Sequence, residues 1–375
     1  MVIAEETTAD RTDQQYMARA LLLAERGRGR TSPNPMVGAL VVDDSGIVVG
    51  QGAHEMAGEP HAEIHALAEA GDRARGATLY CTLEPCSHTG RTGPCAPRVV
   101  DAGIRRAVVA VEDPNPLVSG RGIDYLRAHG VEVSLGIRRD EAEKLNRPFF
   151  TWMRFGRPFV TMKVALSLDG YVAERRGAQT ALTGPEASRQ IHRERAEVDA
   201  IAIGSETLLV DDPLLTARGV YRHRPLVRVI FDRRLRTPAS ARILTTLSQG
   251  PVVIVTDAIV DDDRRSRAER LTDAGAQVEV LDDGEPERFL ERMLTRLGER
   301  RLVSMIVEGG PALHQAFWRA GLVDRVQLFV TPHTLGSDGV DWIHLQVGQI
   351  AGLSDLTAQP FGQDVMIEGY VHRPH

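Results

Sequence analysis

One stretch constrains this chain more than any other, from His61 to Cys95. It reads His61-Ala62-Glu63, a run of helix formers, Thr82-Leu83-Glu84-Pro85-Cys86, and then Cys95 after eight intervening residues. One imidazole, two thiols and one spare carboxylate is the donor set of a catalytic zinc site. Three protein ligands leave the tetrahedral ion one position for water. The metal lowers the pKa of that water towards neutrality. Glu63, two residues past His61, is offset to carry the water's proton without binding the metal.

The flanks fit that placement. Pro60 suits a first helical turn and Gly71 closes the helix formers His61 to Ala70, so a helix presents His61 and Glu63 near its N-terminus. Ala77 to Leu83 is a β-like run that delivers Glu84-Pro85-Cys86 to a strand end. Ala96 to Gly103 opens a second helix with Cys95 at its start, where thiolates are favoured. His65, four residues after His61, suggests a rival two-histidine site. A H-E-x-x-H site needs its Glu directly after the first His, and Ala62 holds that position. The other competitor is a structural zinc knuckle or buried free thiols. Against it, no fourth Cys or His stands at the usual spacing.

A length of 375 residues suggests two domains, and 42% hydrophobic residues suffice for full cores. A net charge of −6 and a pI of about 6.1 argue against a general binder of nucleic acid or membrane surfaces. The Arg264-Arg265-Ser266-Arg267 and Glu299-Arg300-Arg301 clusters read as solvated helix faces. Two of the three cysteines go to the metal and Cys81 sits in a strand pattern, so no disulfide framework exists and a cytoplasmic location is expected. Met1 to Asp13 is acidic and polar, without an apolar leader core. No run approaches the ~20 apolar residues of a membrane span.

Gln15 to Arg26 has helical spacing, with Ala18, Leu21, Leu22 and Ala24 inward. In Thr31-Ser32-Pro33-Asn34-Pro35 two prolines hold Asn34 in one direction, either as a turn residue bonding its own backbone or as a substrate contact. His54 poses the same choice. Val37 to Val42 and Ile47 to Gly52 form a hairpin around Asp43 to Gly46. Strands near Ala107 to Val111 and Val131 to Leu135 follow, with a helix near Ile123 to His129 and a second Pro-Asn-Pro loop at Asp113 to Pro116. Alternating strands and helices predict a layered α/β domain. Asp140 to Phe155 reads as one helix joining two halves, with a boundary near residue 150 and domains 1–150 and 151–375.

In the second half Phe159 to Gly170 is a strand ending in a turn. Val198 to Gly204 and Leu302 to Val307 are further strands, the latter followed by Glu308-Gly309-Gly310-Pro311 and a helix through Ala320. A glycine pair at a strand-to-helix turn lets main-chain N–H groups reach phosphate oxygens, although such a helix start is also common without a ligand. Without G-x-G-x-x-G a Rossmann domain is disfavoured, and a nucleotide site in another kind of α/β sheet stays open.

Along most of its length the chain resembles the bifunctional deaminase–reductases of riboflavin biosynthesis. The first-half motifs are Thr31 to Gly38, Gly58 to Glu63, Thr82 to Cys95 and Asp113 to Pro116. Those of the second half are Lys163 to Gly170, Thr207 to Pro213 with Leu215 to Arg218, and Glu308 to Pro311. H-x-E with P-C-x-x-C is the known mark of zinc nucleobase deaminases. Eight residues between the cysteines, rather than two, mark the riboflavin type.

The resemblance implies a cytidine-deaminase-like three-layer α/β/α domain, then a dihydrofolate-reductase-like α/β domain. The first would hydrolyse the 2-amino group of a diaminopyrimidinone ribosyl phosphate. One zinc per chain would sit on His61, Cys86 and Cys95, with Glu63 as proton shuttle and Asn34, His54 and His88 as substrate contacts. The second domain would reduce the ribosyl chain to ribityl with NADPH. Ser167, Gln179, Arg195, Leu215, Arg218 and Glu308 match its substrate positions. Ala165, Ala181, Thr207, Asp211, Arg233 and the run Gly310, Pro311, Ala312, Leu313, His314, Gln315, Ala316 match its cofactor positions. Lys163 or a water would protonate the oxyanion left by hydride delivery. A homo-oligomer acting on a small molecule is expected, with no nucleic acid or membrane partner.

Some positions depart from the family. Thr89 and Gly93 replace the usual Tyr and Pro, with ligand spacing kept. Arg233 stands where Ser is common near the cofactor; it can pair with a 2′-phosphate or be a surface residue. Gln179 and Ala181 stand where Ser and Trp are usual, which predicts a weaker cofactor site. Two competing readings remain. One is a stand-alone nucleobase deaminase whose second half only binds nucleotide. The other is a metal-stabilised scaffold without enzymatic activity.

Overall fold

A computed structural model of the chain describes residues 8–87, 93–116, 118–281, 288–343 and 352–371. The chain divides into two units, Met1–Gly156 and Arg157–His375. In the first, helix α1 (Thr8–Ala24) precedes the hairpin β1 (Gly38–Val42) and β2 (Val48–Ala53). Then come α2 (Ala62–Ala70), β3 (Thr78–Cys81), α3 (Cys95–Asp101), β4 (Arg106–Val109), α4 (Arg121–Ala128), β5 (Glu132–Leu135), α5 (Arg139–Leu145) and α6 (Arg147–Phe155). The sheet order is β2-β1-β3-β4-β5, antiparallel as far as β3 and parallel beyond it.

Glycines decide the layering of this unit. A Cβ on Gly50 or Gly52 would lie 2.1 or 2.2 Å from carbonyl oxygens of α2, and one on Gly38 would lie 2.0 Å from the Ala20 carbonyl of α1. Ala39 pairs with Gly52, so Gly38, one residue away, faces the other side of the sheet. Helices α1 and α2 therefore cover opposite faces, and the missing side chains let both approach the strands directly. The result is a three-layer α/β/α sandwich.

Two expectations for this unit fail for visible reasons. The buried stripe of α1 runs through Met17, Ala20, Leu21 and Ala24, which turns Leu22 outward to 73% exposure. The helix expected from Asp140 to Phe155 is two helices, broken at Asn146. The Asn146 side chain bonds Met36 instead, accepting its N–H and donating to its carbonyl, each at 2.8 Å.

The second unit runs β6 (Phe159–Leu166), β7 (Tyr171–Ala173), α7 (Pro185–Glu197), β8 (Ala200–Gly204), α8 (Ser205–Asp211), β9 (Val227–Phe231) and β10 (Val252–Asp257). It continues with α9 (Asp262–Asp273), β11 (Gln277–Leu281), α10 (Phe289–Glu299), β12 (Ser304–Val307), α11 (Pro311–Arg319), β13 (Arg325–Val330), β14 (Val340–Asp341), β15 (Leu353–Phe361) and β16 (Asp364–Val371). Among the described residues nine strands form one sheet, β11-β10-β9-β8-β12-β6-β13-β16-β15, parallel through β13 and antiparallel after it. Strand alternation sorts its faces. Ala200 and Ala202 enter one core, while Ile201 and Ile203 enter another. On β6, Val160, Met162, Val164 and Leu166 are core, so Thr161, Lys163 and Ala165 point to the opposite side. There Ala165 packs on a cluster that includes Ala187 and Ile191 of α7.

Candidate functional site

His61 is the N-cap of α2, and Cys95 is the first residue of α3. Cys86 follows the end of β3 and is tied to α3 by the Ala96 N–H, which donates to its carbonyl at 3.0 Å. His61 Nδ1 lies 3.6 Å from Cys86 Sγ and 3.3 Å from Cys95 Sγ. All three donor atoms fall within 4.8 Å of one another. An ion with Zn–S of about 2.3 Å and Zn–N of about 2.0 Å sets such sulfur–nitrogen pairs about 3.6 Å apart. The donors therefore fit zinc in both chemistry and spacing. Hydrogen bonding from Cys95, and after it from His61, holds the Cys86 thiol well below its ordinary range against the opposing effect of burial. Glu63 is 3% exposed and its Oε2 has no hydrogen-bond partner among the described residues. Burial pushes its carboxyl up to about 7, against the attraction of His61.

Asn34 and His54 come together beside the ligands. Asn34 Nδ2 donates to His54 Nε2 at 3.1 Å, and His54 Nδ1 donates to the Pro60 carbonyl at 3.2 Å. Both ring nitrogens of His54 are thus used, and at 2% exposure it steers Asn34 rather than reaching a ligand itself. His88 lies outside the described residues. Sequence reading missed Glu84 and Asp113, which are buried close to Cys86. The only signal for them was their place inside the Thr82–Cys86 and Asp113–Pro116 motifs.

In the second unit Lys163, Arg195 and Glu308 meet. Arg195 Nε and Nη2 donate to the two Glu308 oxygens at 2.7 and 2.6 Å, and Lys163 Nζ lies 3.7 Å from Oε2. Burial would raise the Glu308 carboxyl, but Arg195 and then Lys163 hold it at about 2. Burial lowers the Lys163 ammonium, and Glu308 opposes it. Arg195 also donates to the Thr216 carbonyl at 3.3 Å, and the Arg218 N–H donates to His192 at 3.2 Å. Sheet register adds two residues that the sequence did not reveal. Gln327 pairs with Lys163 on one side and Glu368 on the other. Its amide donates to Glu194 at 3.1 Å and to Glu368 at 3.0 Å.

The Gly309–Gly310 turn closes on the start of α8. A Cβ on Gly309 would lie 2.6 Å from the Gly204 nitrogen, and the Gly310 N–H donates to Thr207 Oγ1 at 3.0 Å. This cradle, at the N-terminus of α11, suits the phosphates of a dinucleotide. Other predicted residues are placed differently. The His314 side chain is core: Nε2 donates to the Val307 carbonyl at 3.1 Å and Nδ1 accepts from Trp342 at 2.9 Å. Ala312 and Ala316 are exposed on α11, and Pro311, Leu313 and Gln315 are half-buried. The Leu215 side chain is also core, with φ at +51°, which leaves its main chain for any contact. The Ser167 hydroxyl is used within its own turn, donating to Asp169 at 2.6 Å and accepting from the Tyr171 N–H at 2.9 Å. Gln179 and Ala181 are exposed between β7 and α7. Arg233 pairs with Asp257 at 2.7 Å, and Asp211 is half-buried at the end of α8.

A zinc-type deaminase unit and a dihydrofolate-reductase-like unit on one chain define a bifunctional deaminase–reductase. Residues 10–111 match the cytidine and deoxycytidylate deaminase zinc-binding region, and residues 158–367 match the RibD C-terminal domain. The riboflavin biosynthesis protein RibD of Aquifex aeolicus is 42% identical over 86% of this chain and 88% of its own. That of Actinobacillus pleuropneumoniae is 36% identical over 97% and 96%. The solved structure of Acinetobacter baumannii RibD superposes with a TM-score of 0.83 at 35% identity, covering 97% of this chain and all of its own. The chain belongs to the RibD family. It is a bifunctional enzyme of riboflavin biosynthesis, with a zinc-dependent deaminase and an NADPH-dependent reductase.

Proposed function

We propose that the first unit hydrolyses the 2-amino group of 2,5-diamino-6-ribosylamino-4(3H)-pyrimidinone 5′-phosphate, with His61, Cys86 and Cys95 as zinc ligands and Glu63 as proton shuttle. One observation carries this: a carboxylate that is buried, with an oxygen unpartnered among the described residues, stands beside three donors within 4.8 Å of one another. Bound there, zinc supplies a Lewis acid that makes a water acidic near neutral pH. Glu63, with its carboxyl lifted to about 7, takes the proton of the attacking water and returns it to the departing ammonia. Asn34, steered by His54, and His88 orient the pyrimidine.

The second unit then reduces 5-amino-6-(5-phosphoribosylamino)uracil to its ribitylamino product. Ala165, Ala181, Thr207, Asp211, Arg233 and Gly310 to Ala316 hold NADPH, which supplies the hydride. Ser167, Gln179, Arg195, Leu215, Arg218 and Glu308 hold the substrate. Lys163 keeps a proton at Nζ for the sugar oxygen that reduction leaves charged. The chain works as a cytoplasmic homo-oligomer, and among the described residues no helix is long and apolar enough to cross a membrane. Incubation with the diaminopyrimidinone phosphate and NADPH tests both halves. The expected result is ammonia release followed by NADPH consumption. Ammonia alone would remove the reductase reading, and neither product would remove both.

A further inference from the structure

Thr82, Glu84 and Cys86, alternate residues of one motif, each reach a different segment. Thr82 Oγ1 accepts the Gly38 N–H at 3.1 Å, and the Cys86 carbonyl accepts the Ala96 N–H at 3.0 Å. Glu84, 3% exposed, makes the largest set. Its Oε2 accepts the N–H groups of Asp113 at 3.2 Å and Gly120 at 3.0 Å, and its Oε1 accepts those of Gly122 at 2.8 Å and Ile123 at 3.2 Å. The first-turn donors of α4 are thereby satisfied by a negative charge, which the helix N-terminus favours. The approach is close: a Cβ on Gly122 would lie 1.9 Å from the Pro85 carbonyl.

Between these anchors runs Asp113-Pro114-Asn115-Pro116. Asp113 Oδ1 accepts the Asn115 N–H at 2.8 Å, and two prolines stiffen the chain. The Glu84 N–H donates to the Val111 carbonyl at 3.0 Å, so this run starts beside the segment that carries Cys86.

We propose that Glu84 is a positioning residue of the deaminase. By fixing Asp113 and the start of α4 to the segment that carries Cys86, it holds Asp113-Pro114-Asn115-Pro116 as a wall on which the pyrimidine ring is seated. This rests on the zinc-site reading above. In Glu84→Gln one oxygen becomes an amide NH₂ that faces two N–H donors, so two of the four anchors fail. The full-length variant should keep its zinc and its NADPH-dependent reduction. Its deaminase KM should rise about tenfold with kcat within about threefold. Pro114→Gly loosens the wall without touching Glu84 or a ligand and should raise KM in the same way; it decides the matter if the first variant does not fold. An unchanged KM, or zinc lost in step with activity, overturns the proposal, because Glu84 would then only brace the fold. A wild-type protein without zinc or ammonia release would instead defeat the site reading itself, before any variant is made.

Discussion

His61, Glu63, Cys86 and Cys95 lie within one short stretch of the first unit, and three of them meet as donors within 4.8 Å. Lys163, Arg195 and Glu308 are far apart in sequence. They meet in the second unit because β6 and β12 are neighbours and α7 brings Arg195 to Glu308. The first site is a set of acceptors arranged for a cation, with the buried Glu63 carboxyl beside it. In the second the ions are already paired, a buried Glu308 carboxylate bonded by Arg195 and faced by Lys163. A site that an ion must complete is recognisable from its donors. A cluster whose ions pair with one another is recognisable only from the order of the strands.

The strongest way to break this comparison is Glu63→Gln. It should keep zinc and lose ammonia release by roughly 10²–10⁴-fold, the usual size of a general acid–base contribution. Reduction of pre-deaminated substrate should be unchanged. Metal analysis and both assays on one preparation check this, and near wild-type ammonia release would end the shuttle assignment.

Glu308→Gln strikes the other site. It leaves Arg195 and Lys163 buried without their carboxylate, and breaking such a pair costs about 3–5 kcal/mol. Because Lys163 can shed its proton, the lower end is expected. Denaturant unfolding followed in the second unit reads this, with ammonia release retained; a loss under ~1 kcal/mol would mean that Glu308 is not what holds the two cations.

A pH titration sharpens the contrast further. Burial holds His314 at about 4, below its ordinary 6.5, so it folds neutral. Its contribution to stability is full above 6.5 and declines as pH falls towards about 4. One proton accounts for at most about 1.4 kcal/mol per pH unit. His314→Gln should flatten that part of the second unit's unfolding curve; an unaltered slope would mean that other groups set it.

The smallest effect concerns Ala181. Restoring a tryptophan at this exposed position should tighten NADPH binding about tenfold, ~1.4 kcal/mol, by covering the cofactor with apolar surface. Titration of both proteins with NADPH checks this, with reduction expected in each. Equal affinities would show that position 181 lies away from the cofactor.

The strands and helices of the first unit, and β6, β8, β12 and α11 of the second, are legible in the sequence because their signals are local. Pro60 and Gly71 bound α2, and Gly309-Gly310-Pro311 marks the start of α11. Leu22 and Asn146 escape the sequence for different reasons, one within its own helix and one distant in the chain. Leu22 is turned out by the rest of its own stripe, and Asn146 is claimed by Met36. His54, Ser167 and His314, matched to ligands by motif, also bond protein atoms. A motif records which residue is needed, not which way its polar atoms turn.

The sequence by itself determined the metal chemistry, since one imidazole and two thiols at that spacing admit few other uses. It also determined the Gly309–Gly310 turn, since glycine is required where backbones touch. Only the tertiary structure decided the rest. Glu84 gathers four N–H groups from a segment that follows it by some thirty residues. Gln327 stands beside Lys163 through sheet register alone. Arg228, fully buried, is held by the carbonyls of Leu214, Ile243 and Thr246. In each case a buried polar group must find partners, and which ones come within reach is fixed by strand order and helix approach, which no local pattern encodes.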